Sequence, residues 1–455
     1  MTAQPVAIVG AGWAGCAAAV TLADAGVPVT VYEAGPVPGG RARRVERAGL
    51  PLDNGQHVLL GAYTATLALI ARVHGEAAAR AQFVRRPLSV VPFARGAPDA
   101  LRLAVPRLPG RLGLLLGLLG ARGLSWAERT ANLRWFIALQ RTGFRRPAGE
   151  SVARMLAPLP PRVARLLWEP LCTAALNTPA ASASAQVFAN VLREAFAGAR
   201  GAADFLLPAN DLTAMFPEAA ARYVAARGGR VRTGERAQVV AAARAGVTVA
   251  AEGRAVAAAA AIVAVGPHQL RQAFAPEALA AHPPLPAAID ALAGLAYEPI
   301  ATVWLGYSTP LALPAPMLRL DDAPGQWVFD RPDILARAGP GSPRLAQLLS
   351  VVISASGPHT ALAGDALTRT VDAQLRRLDP ALPPNAWTQA IVEKRATYAC
   401  TRARPRPAGP RLAPGVYVAG DYVDAELPAT LEAAVRSGVA AATALLADRG
   451  PATVR

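Results

Sequence analysis

The feature that most constrains the fold of this chain is the glycine-rich turn near its N-terminus. Residues 6–9 form a short β-type run, Gly10-Ala11-Gly12-Trp13-Ala14-Gly15 follows at once, and residues 16–25 are helical in character. Residues 29–33 then have the pattern of a second strand. This order of strand, glycine turn, helix and strand predicts a βαβ unit that opens a parallel sheet.

The glycine turn also predicts a dinucleotide-binding site. Gly10 allows the tight turn, Gly12 lets the backbone approach a pyrophosphate, and Gly15 lets the helix pack closely on the strand. The helix start at Trp13 and Ala14 supplies free N–H groups and a partial positive charge for the phosphates. These five residues are therefore predicted to bind the cofactor.

A second motif indicates FAD instead of a nicotinamide cofactor. Glu33, at the end of the second strand, is predicted to bind the ribose hydroxyls, and its charge would repel the 2′-phosphate of NADP. Gly40 and Arg41 follow in the pattern E-x5-G-G-R, in which the chain passes close to the diphosphate and Arg41 neutralises a phosphate or faces the flavin. The stretch from Asp53 to His57 turns back toward the same place, and its Gln56 is expected to contact the cofactor.

A third motif closes the predicted site from the other end of the chain. Residues 416–419 have a strand pattern, Gly420 and Asp421 follow, and a helix begins near Thr430 and Leu431. Asp421 is predicted to bind the ribityl chain. The backbone N–H groups of Thr430 and Leu431 are predicted to face the pyrimidine edge of the flavin, where the helix dipole stabilises the negative charge of the reduced ring.

Together, the three motifs resemble the FAD-dependent amine oxidase and phytoene desaturase superfamily. Residues 167–179 (LWEPLCTAALNTP), 185–188 (AQVF) and 393–397 (EKRAT) more specifically resemble the hydroxysqualene dehydroxylase family of squalene and hopanoid biosynthesis. The resemblance covers essentially the whole chain, with one local departure at Ala264-Val265-Gly266-Pro267, where such proteins often have a Val-Pro-Pro type sequence. It implies bound FAD, an adenine contact at Val239, and reductive removal of the allylic hydroxyl of hydroxysqualene, a C30 isoprenoid, by hydride from the flavin N5.

The same reading predicts an α/β (α+β) fold with two interleaved domains. The predicted FAD-binding domain is Rossmann-like and discontinuous, with residues 1–63, 205–270 and 390–455. The predicted substrate domain is inserted as residues 64–204 and 271–389, with a mixed sheet and a helical part that faces a membrane. The sequence has no second GxGxxG motif, so the flavin is expected to be reduced by a separate electron donor or by a nicotinamide that visits the active site.

Five residues are candidates for the chemistry on the substrate. Glu169 follows a tryptophan and precedes a proline; burial there would raise its pKa and suit a general acid, unless an arginine pairs with it. His57 either donates a proton near neutral pH or holds a structural hydrogen bond, and Gln56 lies beside it. Cys172 is a weaker candidate because a free thiol in an apolar helix is commonly a core residue, and Asn177 either orients a hydroxyl or caps a helix.

Composition adds an expectation about where the protein works. The net charge is +16 and mean hydropathy is +0.27, yet the apolar stretch at residues 112–121 is about half the roughly 20 residues that span a bilayer. Its leucines, flanked by Arg107, Arg111 and Arg122, predict either a buried helix or contact with acidic lipid headgroups. GC-rich codon usage is the alternative origin of the basic charge.

These features predict a cytoplasmic protein, peripheral on the inner membrane, since no signal peptide precedes the first strand. Nucleic acid is not an expected partner, because the arginines are scattered and no aromatic stacking platform accompanies them. No metal is expected, because the three cysteines are widely spaced and lack a zinc pattern.

Three alternatives remain open from the sequence. A phytoene or carotenoid-type desaturase would keep the fold and reverse the redox direction. A flavin amine oxidase would need an aromatic cage beside the flavin, against which the 5% aromatic content argues mildly. A non-catalytic prenyl-binding carrier would bind no flavin.

Overall fold

The structure is a computed structural model that describes residues 4–94, 100–108, 112–243, 245–402, 407 and 409–449. It confirms the N-terminal βαβ unit as strand Val6–Val9, helix Trp13–Asp24 and strand Val29–Glu33, with the two strands parallel. The turn between them is tight, because a Cβ atom added at Gly15 would lie 1.9 Å from the Gly10 carbonyl oxygen. The close packing of helix on turn therefore requires glycine.

Within the described part of the chain, six strands form the sheet that this unit opens. In spatial order they are Arg230–Thr233, Val29–Glu33, Val6–Val9, Ala261–Val263, Val416–Val418 and Arg411–Ala413. All neighbouring pairs are parallel except the last. The carboxyl ends of the parallel strands, where ligands bind in such sheets, thus meet at one edge although they come from distant parts of the sequence.

The C-terminal helix Leu431–Arg449 packs against helix Trp13–Asp24 on this sheet. A Cβ atom added at Gly438 would lie 2.1 Å from the Ala14 carbonyl oxygen, so the two backbones touch at that point. This contact holds the third sequence motif beside the first.

A second sheet is antiparallel and supplies one wall of the site. Among the described residues its strands, in spatial order, are Met317–Arg319, Trp327–Asp330, Gln347–Ser354, Tyr297–Tyr307 and Trp387–Tyr398. Helix Gly364–Leu378 buries Leu367, Val371 and Leu375 against this sheet, at the spacing of one helical face.

A set of helices between residues 64 and 197 forms a helical region. Its elements are the helices Thr64–His74, Glu76–Arg80, Leu112–Leu119, Trp126–Arg141, Val152–Leu156, Pro161–Val163, Glu169–Leu176 and Ala185–Ala197, with a π-helical turn at Ala164–Trp168. Ser125 starts its helix with a capping box to Glu128, because each side chain accepts a hydrogen bond from the other residue's backbone N–H. Trp135 and Phe136 pack on Trp168, with ring centroids 4.9 and 6.2 Å away, and form the apolar centre of this region.

The remaining elements are short. The strands are Arg44–Arg47, Leu50–Asp53, Leu59–Leu60, Phe83–Arg86, Ser89–Val90, Leu103–Ala104, Phe205–Pro208, Ala237–Ala243, Gly246–Ala251 and Arg254–Ala258. The helices are Leu212–Met215, Pro217–Ala225, Pro276–Ala280, Pro284–Ala293 and Pro332–Leu335, with 3₁₀ turns at Pro267–Gln269, Arg271–Ala273 and Pro358–Ala361. Among the helices described, none has both the length and the apolar character needed to span a bilayer.

The predicted α/β class, with a second sheet and a helical region, is confirmed, but the second sheet is antiparallel throughout its described strands and not mixed as expected. The domain division itself stays a prediction. One of its boundaries, at residue 390, falls inside the strand Trp387–Tyr398, which belongs to the antiparallel sheet.

Candidate functional site

A cavity of about 1530 Å³ lies at the carboxyl ends of the parallel strands and extends to the antiparallel sheet and the helical region. It brings together most of the residues predicted from the three sequence motifs. The predicted residues that line it are Gly10, Gly12, Trp13, Ala14, Glu33, Gly40, Arg41, Gln56, His57, Asn177, Gly420, Asp421, Thr430 and Leu431. Gly15 lies behind the wall, in the helix–turn contact described above.

The first two motifs form one wall that is almost free of side chains. The N–H of Gly39 donates a hydrogen bond to the Ala11 carbonyl oxygen (2.9 Å). A Cβ atom added at Gly40 would lie 3.2 Å from Gly12 Cα, and the φ angle of Gly40 is +62°, a conformation that favours glycine. This bare backbone beside the N-terminus of helix Trp13–Asp24 fits the diphosphate of a dinucleotide.

Glu33 is held in place by the backbone at the end of its strand. The N–H of Ala11 donates to Glu33 Oε2 and the N–H of Gly35 donates to Glu33 Oε1, each at 2.8 Å. A carboxylate oxygen can accept more than one hydrogen bond, so both oxygens can still receive a ribose hydroxyl from the cavity side. The contact with the ribose stays a prediction, and the fixed position of the Glu33 carboxylate supports it.

Arg41 and Asp421 join the second motif to the third. Arg41 Nη2 donates to Asp421 Oδ1 at 2.6 Å, and Nη1 donates to the Ala396 carbonyl oxygen at 3.0 Å. Gly420 is fixed beside them because its N–H donates to Ser437 Oγ at 2.8 Å. The guanidinium charge of Arg41 thus has a carboxylate partner at the cavity wall.

Thr430 and Leu431, at the N-terminus of helix Leu431–Arg449, line the cavity, and the contact of their N–H groups with the flavin stays a prediction. Thr430 caps this helix, since its Oγ1 accepts a hydrogen bond from the Ala433 N–H at 3.1 Å. Its Oγ1 also forms a hydrogen bond with the Tyr63 side chain. The partial positive charge of the helix end therefore faces the ligand space.

Glu432, which sequence reasoning did not assign to the site, is a fully buried carboxylate in the first turn of the same helix. It accepts hydrogen bonds from the N–H groups of Ala65 (3.0 Å) and Thr66 (2.9 Å), and from Arg436 Nε at 2.8 Å. It thereby caps helix Thr64–His74 from a distant part of the chain. The sequence did contain a signal for this role, because Glu432 is an acidic residue in the first turn of a predicted helix.

Gln56 is fixed by a buried charge network that the sequence did not reveal. Arg331 Nη1 and Ser350 Oγ donate to Gln56 Oε1 at 2.7 and 2.8 Å, and Gln56 Nε2 donates to the His57 carbonyl oxygen at 2.9 Å. Arg331 is buried and also pairs with Asp53 (3.3 Å) and Asp333 (2.9 Å). Gln56 is thus a rigid part of the cavity wall.

His57 requires a correction, because its imidazole is neutral near pH 7. Burial lowers the pKa of His57 to about 4, and the charge of Arg331 acts in the same direction. Nδ1 lies 2.9 Å from the Gly55 carbonyl oxygen, which only accepts, so Nδ1 carries the proton and Nε2 has a free lone pair. The expectation that His57 donates a proton near neutral pH is therefore wrong; the alternative, a structural hydrogen bond, is what the structure contains.

Glu169, Cys172 and Val239, three further predicted residues, do not line the cavity. Glu169 is exposed at the start of its helix, so the burial expected for it is absent. Cys172 is fully buried, its thiol donates to the Thr178 carbonyl oxygen at 3.8 Å, and burial raises its pKa; it is a core residue. Val239 is fully buried in its sheet, and its neighbour Ala237 lines the cavity in its place.

Asn177 lines the cavity and caps a helix, which was one of its two expected roles. Its backbone is left-handed (φ +47°, ψ +37°) at the end of helix Glu169–Leu176. Its side chain donates from Nδ2 to Thr397 Oγ1 (2.9 Å) and accepts at Oδ1 from the Ala355 N–H (2.6 Å). Asn177 therefore connects the helical region to the antiparallel sheet.

The far wall of the cavity is apolar, and sequence reasoning did not identify it. Helices of the helical region, strands of the antiparallel sheet and the short strand Phe205–Pro208 contribute to it. Its main side chains are Leu171, Phe188, Val191, Leu192, Phe196, Phe205, Ile300, Met317, Trp327, Phe329 and Val352. A polar cradle that opens into a large apolar space suits a cofactor together with an apolar substrate.

Comparison with known proteins agrees with this arrangement. The family described as "Flavin containing amine oxidoreductase" matches residues 13–446. A hydroxysqualene dehydroxylase of Rhodopseudomonas palustris is 30% identical over 98% of this chain and 99% of its own length. The corresponding protein of Sinorhizobium fredii is 26% identical over 97% and 98%. A hydroxyneurosporene desaturase of Rhodobacter capsulatus is 54% identical, but over 12% of this chain and 11% of its own.

Among solved structures, an oxidoreductase from Methanosarcina mazei matches with a TM-score of 0.69 at 18% identity, over 96% of this chain and 99% of its own. This likeness supports the fold. The family match extends over most of the chain, and the Rhodopseudomonas relative aligns nearly end to end. The chain therefore belongs to the flavin-containing amine oxidoreductases, in the same family as its hydroxysqualene dehydroxylase relatives, and is an FAD-dependent oxidoreductase.

Proposed function

We propose that this enzyme removes the allylic hydroxyl group of hydroxysqualene reductively and releases squalene. The observation that carries the proposal is that the cofactor cradle and a large apolar wall line the same cavity. The relatives that match this chain end to end are named for this reaction. The desaturase match covers too little of the chain to bear on the substrate.

The proposed reaction breaks the carbon–oxygen bond of the substrate and forms a carbon–hydrogen bond at the same carbon. Reduced FAD, when bound, supplies the hydride and is left oxidised. A proton adds to the departing hydroxyl, which leaves as water. An allylic carbon favours this reaction because the charge that develops on bond cleavage is delocalised.

The apolar wall would hold the isoprenoid chain and exclude bulk water from the reacting carbon. Phe188 and Phe196 from the helical region face the same cavity as Trp327 and Phe329 from the antiparallel sheet. A C30 hydrocarbon is held by such surfaces through burial alone, at about 25 cal/mol per Å² of apolar area.

His57 would orient the substrate hydroxyl through hydrogen bonding. Its neutral imidazole offers the lone pair of Nε2, which accepts a hydrogen bond from a hydroxyl group. Gln56 and the Arg331 network behind it would hold this segment of the wall still while the substrate binds. Asn177 acts as a positioning residue because it fixes the strands that face the flavin space.

We further propose that a separate donor reduces the FAD, since the sequence contains one dinucleotide turn and no second GxGxxG motif. The proposed place of action is the cytoplasmic face of the inner membrane, where an isoprenoid substrate resides. The net charge of +16 supports contact with acidic lipid headgroups.

An anaerobic single-turnover experiment tests the reaction. The purified yellow protein is reduced, hydroxysqualene is added in detergent, and flavin absorbance is followed together with product analysis. We expect reoxidation of the flavin with a stoichiometric amount of squalene. Squalene added in place of hydroxysqualene is the control and should leave the flavin reduced.

Other outcomes would replace the proposal with one of its alternatives. Absence of reoxidation, with the oxidised protein bleached by a saturated polyprene, would indicate a desaturase. Bleaching by an aliphatic amine would indicate an amine oxidase. A protein that purifies without flavin would indicate a carrier.

A further inference from the structure

The helix Leu112–Leu119 presents an uncharged leucine face to solvent. Leu112 and Leu116, one helical turn apart, are 56% and 51% exposed, and Leu108 just before the helix is also exposed. The helix itself contains leucine and glycine alone. Exposed apolar patches of this kind in a folded chain commonly mark an interaction surface.

The opposite face of this helix is firmly attached to the rest of the protein. Leu114 and Leu118 are buried in the main apolar core. A Cβ atom added at Gly113 would lie 2.3 Å from the Pro106 carbonyl oxygen, and one at Gly117 would lie 3.0 Å from that of Ala104. The exposed leucines therefore lie on a helix that is fixed by packing and that contains no polar side chain.

Exposed basic and aromatic side chains lie on or next to the elements that contact this helix. Arg102 and Arg122 are exposed and are held side by side, because each backbone N–H donates to the other's carbonyl oxygen (3.1 and 2.9 Å). Trp126, 66% exposed, begins the helix that packs against Leu112–Leu119. Arg111 of the predicted arginine flank lies outside the described residues. Leucine, tryptophan and arginine together are the composition of a bilayer–water interface.

The leucine face also adjoins the ligand cavity. A small crevice beneath the helix is lined by Leu108, Gly113 and Leu114. The same crevice shares Leu88, Ala195 and Phe196 with the large cavity. The crevice beneath the helix thus adjoins apolar lining residues of the large cavity.

We propose that the leucine face formed by Leu108, Leu112 and Leu116, with Trp126 beside it, docks on a bilayer that carries anionic phospholipid headgroups. The leucines enter the acyl boundary, and Arg102 and Arg122 contact the headgroups. The choice of an isoprenoid-bearing bilayer as partner rests on the proposed function, whereas the docking itself requires no turnover. Docking in this orientation brings the apolar end of the cavity to the membrane.

Vesicle co-sedimentation with the full-length holoprotein tests this proposal. The probes are vesicles of equimolar phosphatidylglycerol and phosphatidylcholine, and vesicles of phosphatidylcholine alone. We expect the wild type to bind the acidic vesicles and Leu116→Glu to bind them at least about tenfold more weakly, because the substitution puts a charge in place of an exposed leucine that docking would bury in the bilayer. Binding to phosphatidylcholine alone should be weaker by about fivefold for each headgroup-contacting arginine.

Leu362→Glu is the matched control, because Leu362 is an exposed leucine on a different part of the chain. It introduces the same charge and should bind acidic vesicles as the wild type does. Flavin absorbance of all three proteins reports whether each is folded, and it does so independently of any substrate.

Equal vesicle binding by wild type and Leu116→Glu would overturn the proposal, as would a wild type that binds neither vesicle. Wild-type dimers that Leu116→Glu converts to monomers, without vesicle binding, would assign the face to a second copy of the chain. None of these outcomes depends on whether hydroxysqualene is the substrate, so failure here is distinguishable from failure of the proposed reaction.

Discussion

Arg41 and Asp421 are 380 positions apart in the sequence, and their side chains meet at 2.6 Å on the cavity wall. The Asp421 side chain is 6% exposed and the Arg41 side chain 30%. The pair connects the second cofactor motif to the third, so the integrity of the cofactor site depends on a contact between the two ends of the chain.

Replacement of Arg41 by Met should destabilise the protein by about 2 kcal/mol, less than for a fully buried pair because Arg41 keeps partial exposure. The reason is that Asp421 would remain as a nearly buried carboxylate without its partner. Thermal unfolding measures the effect. The double variant Arg41→Met/Asp421→Asn should recover part of the loss; a double variant as unstable as the sum of both single variants would contradict a direct interaction.

Glu33→Arg should abolish retention of FAD during purification. The substitution removes the carboxylate fixed by the Ala11 and Gly35 N–H groups and puts a cation at the predicted ribose position. The ratio of flavin to protein absorbance measures retention. Glu277→Arg is the control, since Glu277 is exposed and lies away from the cavity, and it should stay yellow. A fully yellow Glu33→Arg protein would show that Glu33 does not contact the cofactor.

Arg331→Met should cost about 4 kcal/mol, the typical result of removing one partner from a buried charge network. Its guanidinium and the Asp53 carboxylate are 4% and 1% exposed, so the carboxylate would stay buried and unpaired. Arg271→Met is a matched control, because the Arg271–Asp290 contact (2.7 Å) is shorter than the contact of Arg331 with Asp53 (3.3 Å), yet both of its side chains are more than half exposed. That change should cost less than about 1 kcal/mol. Denaturant unfolding measures the loss of stability in both variants. Equal losses would contradict a special role for the buried network.

The cofactor motifs were predictable because their residues act through local backbone geometry. Gly10, Gly12 and Gly15 define a turn within six positions, and in the structure that turn lies at the edge at which sheets of this type bind dinucleotides. The third motif was predictable for the same reason, because Gly420 and Asp421 come shortly after the strand Val416–Val418.

The substrate side was less predictable because it depends on packing. Glu169 was expected to be buried because Trp168 precedes it, but Trp168 packs inward while Glu169 is exposed on the next position of the helix. The π-helical turn Ala164–Trp168 just before it shifts the helical phase, which periodicity in the sequence does not reveal. Arg331 lies 275 positions from Gln56, so no local pattern connects them.

The buried His57 imidazole predicts a specific dependence of stability on pH. Because burial lowers the pKa of His57 from 6.5 to about 4, the unfolded chain binds more protons than the folded one between these values. The His57 contribution to stability is therefore present near neutral pH and is lost as pH falls from 6.5 to about 4, by about 3 kcal/mol in total.

Asp53, in the same network, should act with the opposite sign. Burial raises the pKa of Asp53 from 3.8 to about 6, although the charge of Arg331 opposes the shift. The folded protein then binds more protons than the unfolded chain between these values, and the Asp53 contribution grows as pH falls. The two contributions offset each other between about pH 6 and pH 4 in the wild type.

Substitution of either residue should reveal the pH dependence of stability that the other contributes. Relative to the wild type, His57→Gln should gain stability as pH falls from 6.5 to 4, and Asp53→Asn should lose stability over nearly the same interval. Thermal unfolding of the three proteins across this range measures both trends. Stability differences that stay constant with pH would mean that His57 and Asp53 titrate alike in the folded and unfolded chains, and a shift of the same sign in both variants would contradict the opposing assignments.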